Sequence, residues 1–435
     1  MEPSKSSVQP THAVISWLPK LRREVWILAA GQLLLFIGQG FTLVYASIYF
    51  VNELGFSPTQ VGLAQGSMGI SGTLGRFWAG NAIDSQRLGR RGTLLLAAAI
   101  AALGSFVLAA ANTYPLLVAG NLLLGLGISL YWPATLAATT DVTTPEHRTE
   151  AIALTRLADN LGLGVGALIA GQYIAMSGSY PLLFLSKGLA YLVFGGVIFW
   201  AIAETRPTHT TPKNMFQNWR QALSDRHLVT YLSGNLFFTV YTAQVSSTLP
   251  LFLANFVPGG NTATGFSEQV ISYFFVWHAL LKILLQLPVT RWLRPVSHVN
   301  VLLGSLGLWT GGLFLFWLVG LVGIHTAALA LAAFAFVAVA EVFYAPSASA
   351  LVGDIAPVPL RGVYFALESE SWAIGFLIGP AMGGWALDHP AVLGGNLWLA
   401  LVFSGAIAAI ILILLRQQLR ADALPANTPA PSSQS

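Results

Sequence analysis

Predominantly apolar stretches of twenty or more residues fill most of this chain and restrict its fold more than any other feature. A helix needs about 20 such residues to cross a hydrocarbon layer roughly 30 Å thick. Stretches of that kind stand at Trp26–Val51, Gln60–Ile83, Gly92–Ala111, Tyr114–Thr140, Arg148–Met176 and Pro181–Ala203. After a polar break they resume at Leu228–Val257, Phe266–Thr290, Val299–Val322, Thr326–Val352, Gly362–Leu387 and Asn396–Leu415. They predict an all-α membrane protein of twelve transmembrane helices. Lipid cannot satisfy the backbone of an open sheet edge, so sheets are excluded. Gly (43) and Pro (22) do not argue against helices, since both are commoner in membrane helices than in soluble ones. Charged residues make up 9% of the 435, against about 25% in a soluble domain. That is too few to cover a water-soluble surface, and the hydrophobicity excludes a disordered chain. With no Cys, a disulfide framework, a thiolate metal site and a cysteine nucleophile are all ruled out.

The basic residues set an orientation. Lys5, Lys20, Arg22 and Arg23 precede the first span, and Arg87, Arg90 and Arg91 lie between the second and third. Arg148 follows the fourth, and Arg206, Lys213, Arg220 and Arg226 lie in the central break. Arg291, Arg294, Arg361, Arg416 and Arg420 continue the same alternation. The loops on the other side, such as Asn52–Thr59, Ser177–Tyr180 and Pro258–Gly265, contain no Lys or Arg. Cytoplasmic loops carry the positive excess, so both termini are expected to be cytoplasmic. The first run is too long for a signal-peptide core and reads as an uncleaved helix.

A fixed offset repeats along the chain. Pro133, Asp141, Arg148, Gly162, Gly166 and Gly171 recur, without a gap, as Pro346, Asp354, Arg361, Gly375, Gly379 and Gly384. Such self-similarity predicts a duplicated architecture. The chain therefore reads as an N-terminal segment (1–25), a six-helix half (26–203), a cytoplasmic linker (204–227), a second six-helix half (228–415) and a tail (416–435) expected to be disordered. Paired six-helix halves place a substrate site near the membrane midplane between them.

Between the second and third spans stands Gly80-Asn-Ala-Ile-Asp84-Ser-Gln-Arg87-Leu-Gly89-Arg90-Arg91, with Arg76 one helical turn before Gly80. This resembles the loop signature of the major facilitator superfamily, Gly-x-x-x-Asp-Arg-x-Gly-Arg-Arg, with Ser and Gln inserted between Asp and Arg. The resemblance runs from about Trp26 to Leu415. Physically, Gly80 allows close helix approach, Asp84 can sit at a helix N-terminus, and the three Arg face anionic headgroups and carboxylates. The general look is that of the drug-efflux branch. Two patterns depart from it: Asn121 stands where proton-coupled members often carry Arg, and Ala167 stands where antiporters often carry Pro. The second half keeps the fuller glycine motif, Gly375 to Gly384 with Pro380. The resemblance implies that Asp84 meets the start of span eleven at Gly362.

Charges inside spans are costly, on the order of 3 kcal/mol each, and are functional candidates by default. Glu341, mid-span and sharing a face with Tyr344, is the first candidate for proton carriage or substrate contact. Asp159 follows, with Arg156 one turn earlier as an internal partner. Lys282 is expected to have a partner, and Lys187 to snorkel outward. Tyr241 and Tyr344, with Tyr131, Trp132 and Trp372, are candidate lining groups, while Trp26, Trp292 and Trp398 at span ends suit an interfacial belt. Arg76 is expected to pair across the halves with Glu368, or failing that Glu370, as a gate latch. Asp141 or a lipid phosphate is the alternative partner. The cytoplasmic gate set is completed by Asp141, Arg148, Asp354 and Arg361.

There is no metal-ligand pattern among the eight His and no Walker sequence, so no metal, cofactor or ATPase is expected. The net charge of +4 carries no nucleic-acid signature. The resemblance implies a secondary active transporter, a monomer in a bacterial inner membrane. It would move a small amphipathic solute by alternating access, with proton-coupled efflux first and symport second. A membrane sensor or a multi-span enzyme is the rival class; no loop is large enough for an output or catalytic domain.

Overall fold

The computed structural model describes residues 21–84, 87–144, 147–204, 215–357 and 360–423. The described chain is helical: α1 (Arg23–Leu43), α2 (Tyr45–Ile48), α3 (Pro58–Asp84), α4 (Gly89–Ala109), α5 (Tyr114–Asp141), α6 (Arg148–Ser177) and α7 (Pro181–Ala201). Then follow α8 (Met215–Leu223), α9 (Arg226–Asn255), α10 (Glu268–Trp292), α11 (His298–Val319), α12 (Thr326–Ile355), α13 (Arg361–Asp388) and α14 (Leu397–Ala423). Nine of these segments are long and apolar enough to cross a membrane, among the described residues. The other long ones, α3, α6 and α13, have 27, 30 and 28 residues. They carry Arg76, Arg156, Asp159, Glu368 and Glu370 and many glycines, which lowers their hydropathy without shortening them.

Several local expectations change. The first apolar run is not one uniform helix. α1 gives way at Val44 to the short α2 and then to a π-helical turn, Tyr49–Glu53. The central break contains the nine-residue α8, whose Trp219 packs 5.0 Å from Phe77 on α3. α14 continues past Leu415 to Ala423, so the segment expected to be disordered begins as helix. The rest of that tail and residues 1–20 lie outside the described set. Trp398 is not interfacial: it is fully buried against Phe252 and Phe316.

Packing follows the repeat. α1 lies on α6 and α7, α3 and α4 on α5, and α4 on α7. In parallel, α9 lies on α13 and α14, α10 and α11 on α12, and α11 on α14. The two sets meet chiefly through α3 against α13 and α6 against α10. Glycine makes these approaches possible, because without a side chain the backbones can touch. A Cβ on Gly162 would lie 2.7 Å from the Leu33 carbonyl oxygen of α1. One on Gly375, its repeat partner, would lie 2.3 Å from Thr239 Oγ1 of α9. Gly375 and Gly379 thus serve contact inside the second set. They do not face α3. The α3–α13 approach uses Gly62, Gly66 and Gly69, which lie against Pro380, Leu377 and Ala373.

The helix ends fall into two layers. At one end, Asn52 and Asn255 exchange amide hydrogen bonds of 3.1 and 2.7 Å, and Thr59 donates to Asp388 Oδ2 at 2.6 Å. Tyr180 donates to Glu268 Oε1 at 3.0 Å, and Ser47 to the Ser247 carbonyl at 2.7 Å. Each of these bonds joins one set to the other, so this end is closed. The opposite layer holds Arg90, Asp141, Glu204, Asp225 and Asp422.

A Cβ on Gly62 would lie 2.2 Å from the Pro380 carbonyl oxygen, and backbone cannot yield as a side-chain tip can. Gly62→Val should therefore cost about 1–3 kcal/mol of closure. In a protein carrying Asn52→Cys and Asn255→Cys, adding Gly62→Val should cut disulfide crosslinking several-fold. Undiminished crosslinking would show that α3 and α13 do not need this contact.

Candidate functional site

Glu341 sits halfway along α12, between the ends at Thr326 and Ile355. At about 1.5 Å per residue, each helix end is roughly 20 Å away. Glu341 is not a lone acid. Lys282 Nζ lies 2.7 Å from its Oε2, and His278 Nε2 lies 3.5 Å from the same oxygen. Lys282 and His278 are one turn apart on α10, so both project towards α12. His278 was missed in the sequence because no ligand pattern marks it. Its spacing to Lys282 was the available signal. All three side chains are largely buried.

Tyr344, one turn beyond Glu341, donates to Asn235 Oδ1 at 2.7 Å and stacks on Phe238 with centroids 4.8 Å apart. Asn235 in turn donates to Ser371 Oγ at 2.6 Å, which links α12, α9 and α13. Tyr241 belongs elsewhere: its hydroxyl meets Ser404 Oγ on α14 at 2.8 Å and its ring packs on Trp309 of α11. It is core of the second set and does not join the Lys282–Glu341 group.

In the first set, Arg156 Nη1 lies 3.8 Å from Asp159 Oδ2, so the one-turn pairing is present but too long for a hydrogen bond. The guanidinium carbon stands 4.8 Å above the Trp132 ring. Lys187 does not snorkel. It is buried, and Nζ donates to Thr42 Oγ1 of α1 at 2.9 Å. Asn121 donates to the Leu117 carbonyl of its own helix at 2.8 Å and carries no charge into the bundle.

The basic loop is engaged mainly within the first set. Gly89 adopts φ +63°, a conformation that suits glycine, and turns the chain into α4. Arg90 Nε meets Asp141 Oδ2 at 2.9 Å, and Nη1 donates to the Ile83 carbonyl at 2.9 Å. Glu204 accepts the backbone N–H of Arg90 at 2.9 Å and of Arg91 at 3.2 Å, an anion at a helix N-terminus. Sequence reasoning assigned that kind of role to Asp84. The side chains of Asp84 and Arg148, and the surroundings of Gly80, lie outside the described residues. Arg91 stacks on Phe199 at 4.9 Å, and Arg87 is exposed. The repeat partner of Asp141, Asp354, faces His298 Nε2 at 3.5 Å, and Arg361 is exposed at the start of α13.

Among the described residues, one charge pair crosses between the sets inside the bundle. Arg76 Nη1 lies 3.7 Å from Glu370 Oε2, and Glu368 is turned to Tyr231, whose hydroxyl donates to it at 3.4 Å. Residues 368 and 370 are about 200° apart around a helix, so only one can face α3. The Arg76 and Glu370 atoms of this contact have no hydrogen-bond partner among the described residues. Asp141 is not the partner of Arg76; Arg90 holds it. Among the described residues no group of three or more His, Asp or Glu could hold a metal ion.

Comparison with known proteins adds to this geometry. The family model described as Major Facilitator Superfamily matches residues 28–261 and 252–433. Multidrug resistance protein MdtH of Yersinia enterocolitica is 26% identical over 365 residues, covering 83% of this chain and 86% of that protein. The uncharacterized MFS-type transporter YdeE of Escherichia coli K12 is 25% identical over 400 residues, covering 91% and 95%. Among solved structures, the nucleoside transporter NupG superposes with a TM-score of 0.73 at 13% identity, covering 91% of this chain and 99% of that one. A D-xylose-proton symporter gives 0.70 at 16%, covering 89% and 96%. At these identities the structures show a shared fold.

The loose cross-set pair yields a test. Arg76→Glu and Glu370→Arg should each impair transport, because removing one partner of a buried pair orphans the other at about 3–5 kcal/mol. The two together should restore part of the rate. Arg76→Glu combined with Glu368→Arg should not. Equal rescue by both combinations would show that Glu370 has no special place.

Proposed function

Because the chain belongs to the major facilitator superfamily, we propose that this membrane transporter exports a small amphipathic organic solute in exchange for protons, by alternating access. The protein is a multi-pass integral membrane transporter, not an enzyme, and its cargo is a small molecule. The observation that carries the finer reading is the buried Lys282–Glu341 pair with His278 beside it. A carboxylate at this depth is stable only while a cation matches it. Taking up a proton removes the match and frees Lys282. The helices α10 and α12 then no longer need the same relation. Two protonation states of one group thus favour two arrangements of the bundle, which is what coupling requires.

The contacts at the two ends supply the gates. The layer of Asn52, Thr59, Tyr180 and Ser47 is the outer gate, shut here, and Arg76–Glu370 is a latch for the inner side. In this reading all twelve long helices cross the membrane as two six-helix halves, 26–203 and 228–415, joined by the linker 204–227. Both termini are cytoplasmic, with the basic layer of Arg87, Arg90, Arg91, Arg220 and Arg226 on the cytoplasmic side. The likeness to enterobacterial MdtH supports efflux of drug-like compounds across a bacterial inner membrane. In this reading the transporter works as a monomer.

Purified protein in proteoliposomes, offered a panel of amphipathic compounds with and without a pH gradient, tests this reading. Gradient-driven flux is expected for at least one compound. Glu341→Gln should remain folded in the membrane and lose the gradient dependence, cutting driven flux at least tenfold. An unchanged pH profile in that variant would remove Glu341 from coupling.

A further inference from the structure

The first set of helices holds a second polar cluster, apart from Glu341 and Lys282, that packing does not explain. Gln32 Oε1 on α1, the Tyr131 hydroxyl and Thr135 Oγ1 on α5, and both carboxylate oxygens of Asp159 on α6 are buried. The Asp159 carboxylate oxygens have no hydrogen-bond donor among the described residues. Gln32 and Thr135 are within hydrogen-bonding reach of the Tyr131 hydroxyl, and Asp159 lies near enough for its charge to be felt there. One such atom left unpaired costs about 1–3 kcal/mol, and native proteins carry few of them. A buried carboxylate with both oxygens undonated, beside three further polar groups, marks a site built for something that binds there.

The chemistry of the five atoms narrows the ligand. The Gln32 carbonyl oxygen and the Asp159 oxygens can only accept hydrogen bonds, while the two hydroxyls can do either. Their complement is a cation that brings N–H donors. A second, independent feature points the same way. The Arg156 guanidinium lies over the Trp132 ring at 4.8 Å and 3.8 Å from Asp159 Oδ2. A cation is therefore already placed on this aromatic and acidic surface, yet too far out to donate to the carboxylate. Its side chain is 62% exposed, whereas that of Asp159 is 8% exposed, so the arginine covers the site from outside. Phe36 and Tyr131, with ring centroids 5.7 and 5.4 Å from Trp132, extend the aromatic wall.

We propose that Gln32, Tyr131, Trp132, Thr135 and Asp159 form a subsite for a protonated aromatic amine, and that Arg156 is its tethered stand-in. An incoming ammonium group donates to Asp159 and Gln32, and its ring takes the face of Trp132. Arg156 swings outward, where it is already half in the open. The arginine thus keeps the buried acid matched when no substrate is present, and it competes with substrate when one arrives. This rests on the transporter reading above and adds to it the chemical class of the cargo.

Binding to purified protein in detergent, followed by tryptophan fluorescence, tests the subsite without any gradient. The probes are a phenylalkylamine, its N,N,N-trimethyl derivative and the corresponding neutral alcohol. The amine should bind most tightly and the alcohol most weakly. Arg156→Ala should bind the amine about fivefold more tightly, the equivalent of one exposed cation–π contact. Asp159→Asn should bind it at least tenfold more weakly. Gln32→Leu provides a second loss if the Asp159 variant does not fold. Arg156→Cys, the sole cysteine of the chain, should react with maleimide and be protected by the amine. Equal binding of the three probes, or weaker amine binding by Arg156→Ala, overturns the subsite. Absence of transport of any compound by the parent protein in liposomes would instead overturn the transporter mechanism, and the binding result would stand apart from it.

Discussion

A charge inside a membrane-crossing bundle must be matched by a group on another helix or on the turn beside it, and much of this structure follows from that requirement. Lipid offers no counter-ion and no water, so Glu341 holds Lys282 and Arg76 stands against Glu370. Each match ties helices together in one arrangement. Each can also be undone by a proton or by a competing charge. The groups that make the bundle cohere are thus the same groups through which it can be switched. A soluble protein would let water relax such pairs, and their geometry would constrain little.

The repeat carries the scaffold but not the chemistry. Gly162 and Gly375 let equivalent helices touch in the two sets, and Gly171 and Gly384 serve the two contacts between sets. Asp141 and Asp354 each hold a basic partner, Arg90 and His298. The candidate charges inside the bundle have no such copies. At the repeat offset, Ile128 corresponds to Glu341, Leu157 to Glu370, and Trp372 to Asp159. Close packing is needed equally in both sets.

The asymmetry also separates two polar groups. The Lys282–Glu341–His278 cluster is matched in charge and lies wholly in the second set. The cluster around Asp159 is under-matched, lies in the first set and is faced with aromatic rings. A matched cluster resists entry by a ligand, while an unmatched one invites it. Under the function proposed above, the proton and the cargo are received by different helices.

Much of the fold was legible without coordinates, because hydrophobic length, glycine repetition and basic loops are properties of the linear chain. Apart from the end of α14, the apolar runs marked the long helices to within a few residues, and the constant offset marked which helices are equivalent. The break at Val44, the helix α8 and the burial of Trp398 were not legible, since each depends on what packs alongside. Among site residues, composition singled out Glu341, Lys282, Asp159 and Arg156, because a charge amid apolar residues is visible in any sequence. Their partnering was not visible beyond Arg156–Asp159, where both lie on one turn. Lys282 and Glu341 are far apart in the chain, and nothing local says that α10 turns that face to α12. The choice of Glu370 over Glu368 is likewise tertiary, because two positions on one helix differ by about 200° and only the neighbouring helix decides which is used. The sequence alone determined that this chain lives in a membrane as a duplicated helical bundle, since length and hydropathy act residue by residue. Which charges are matched and which are left open was decided only by tertiary structure, since matching is a property of pairs of helices.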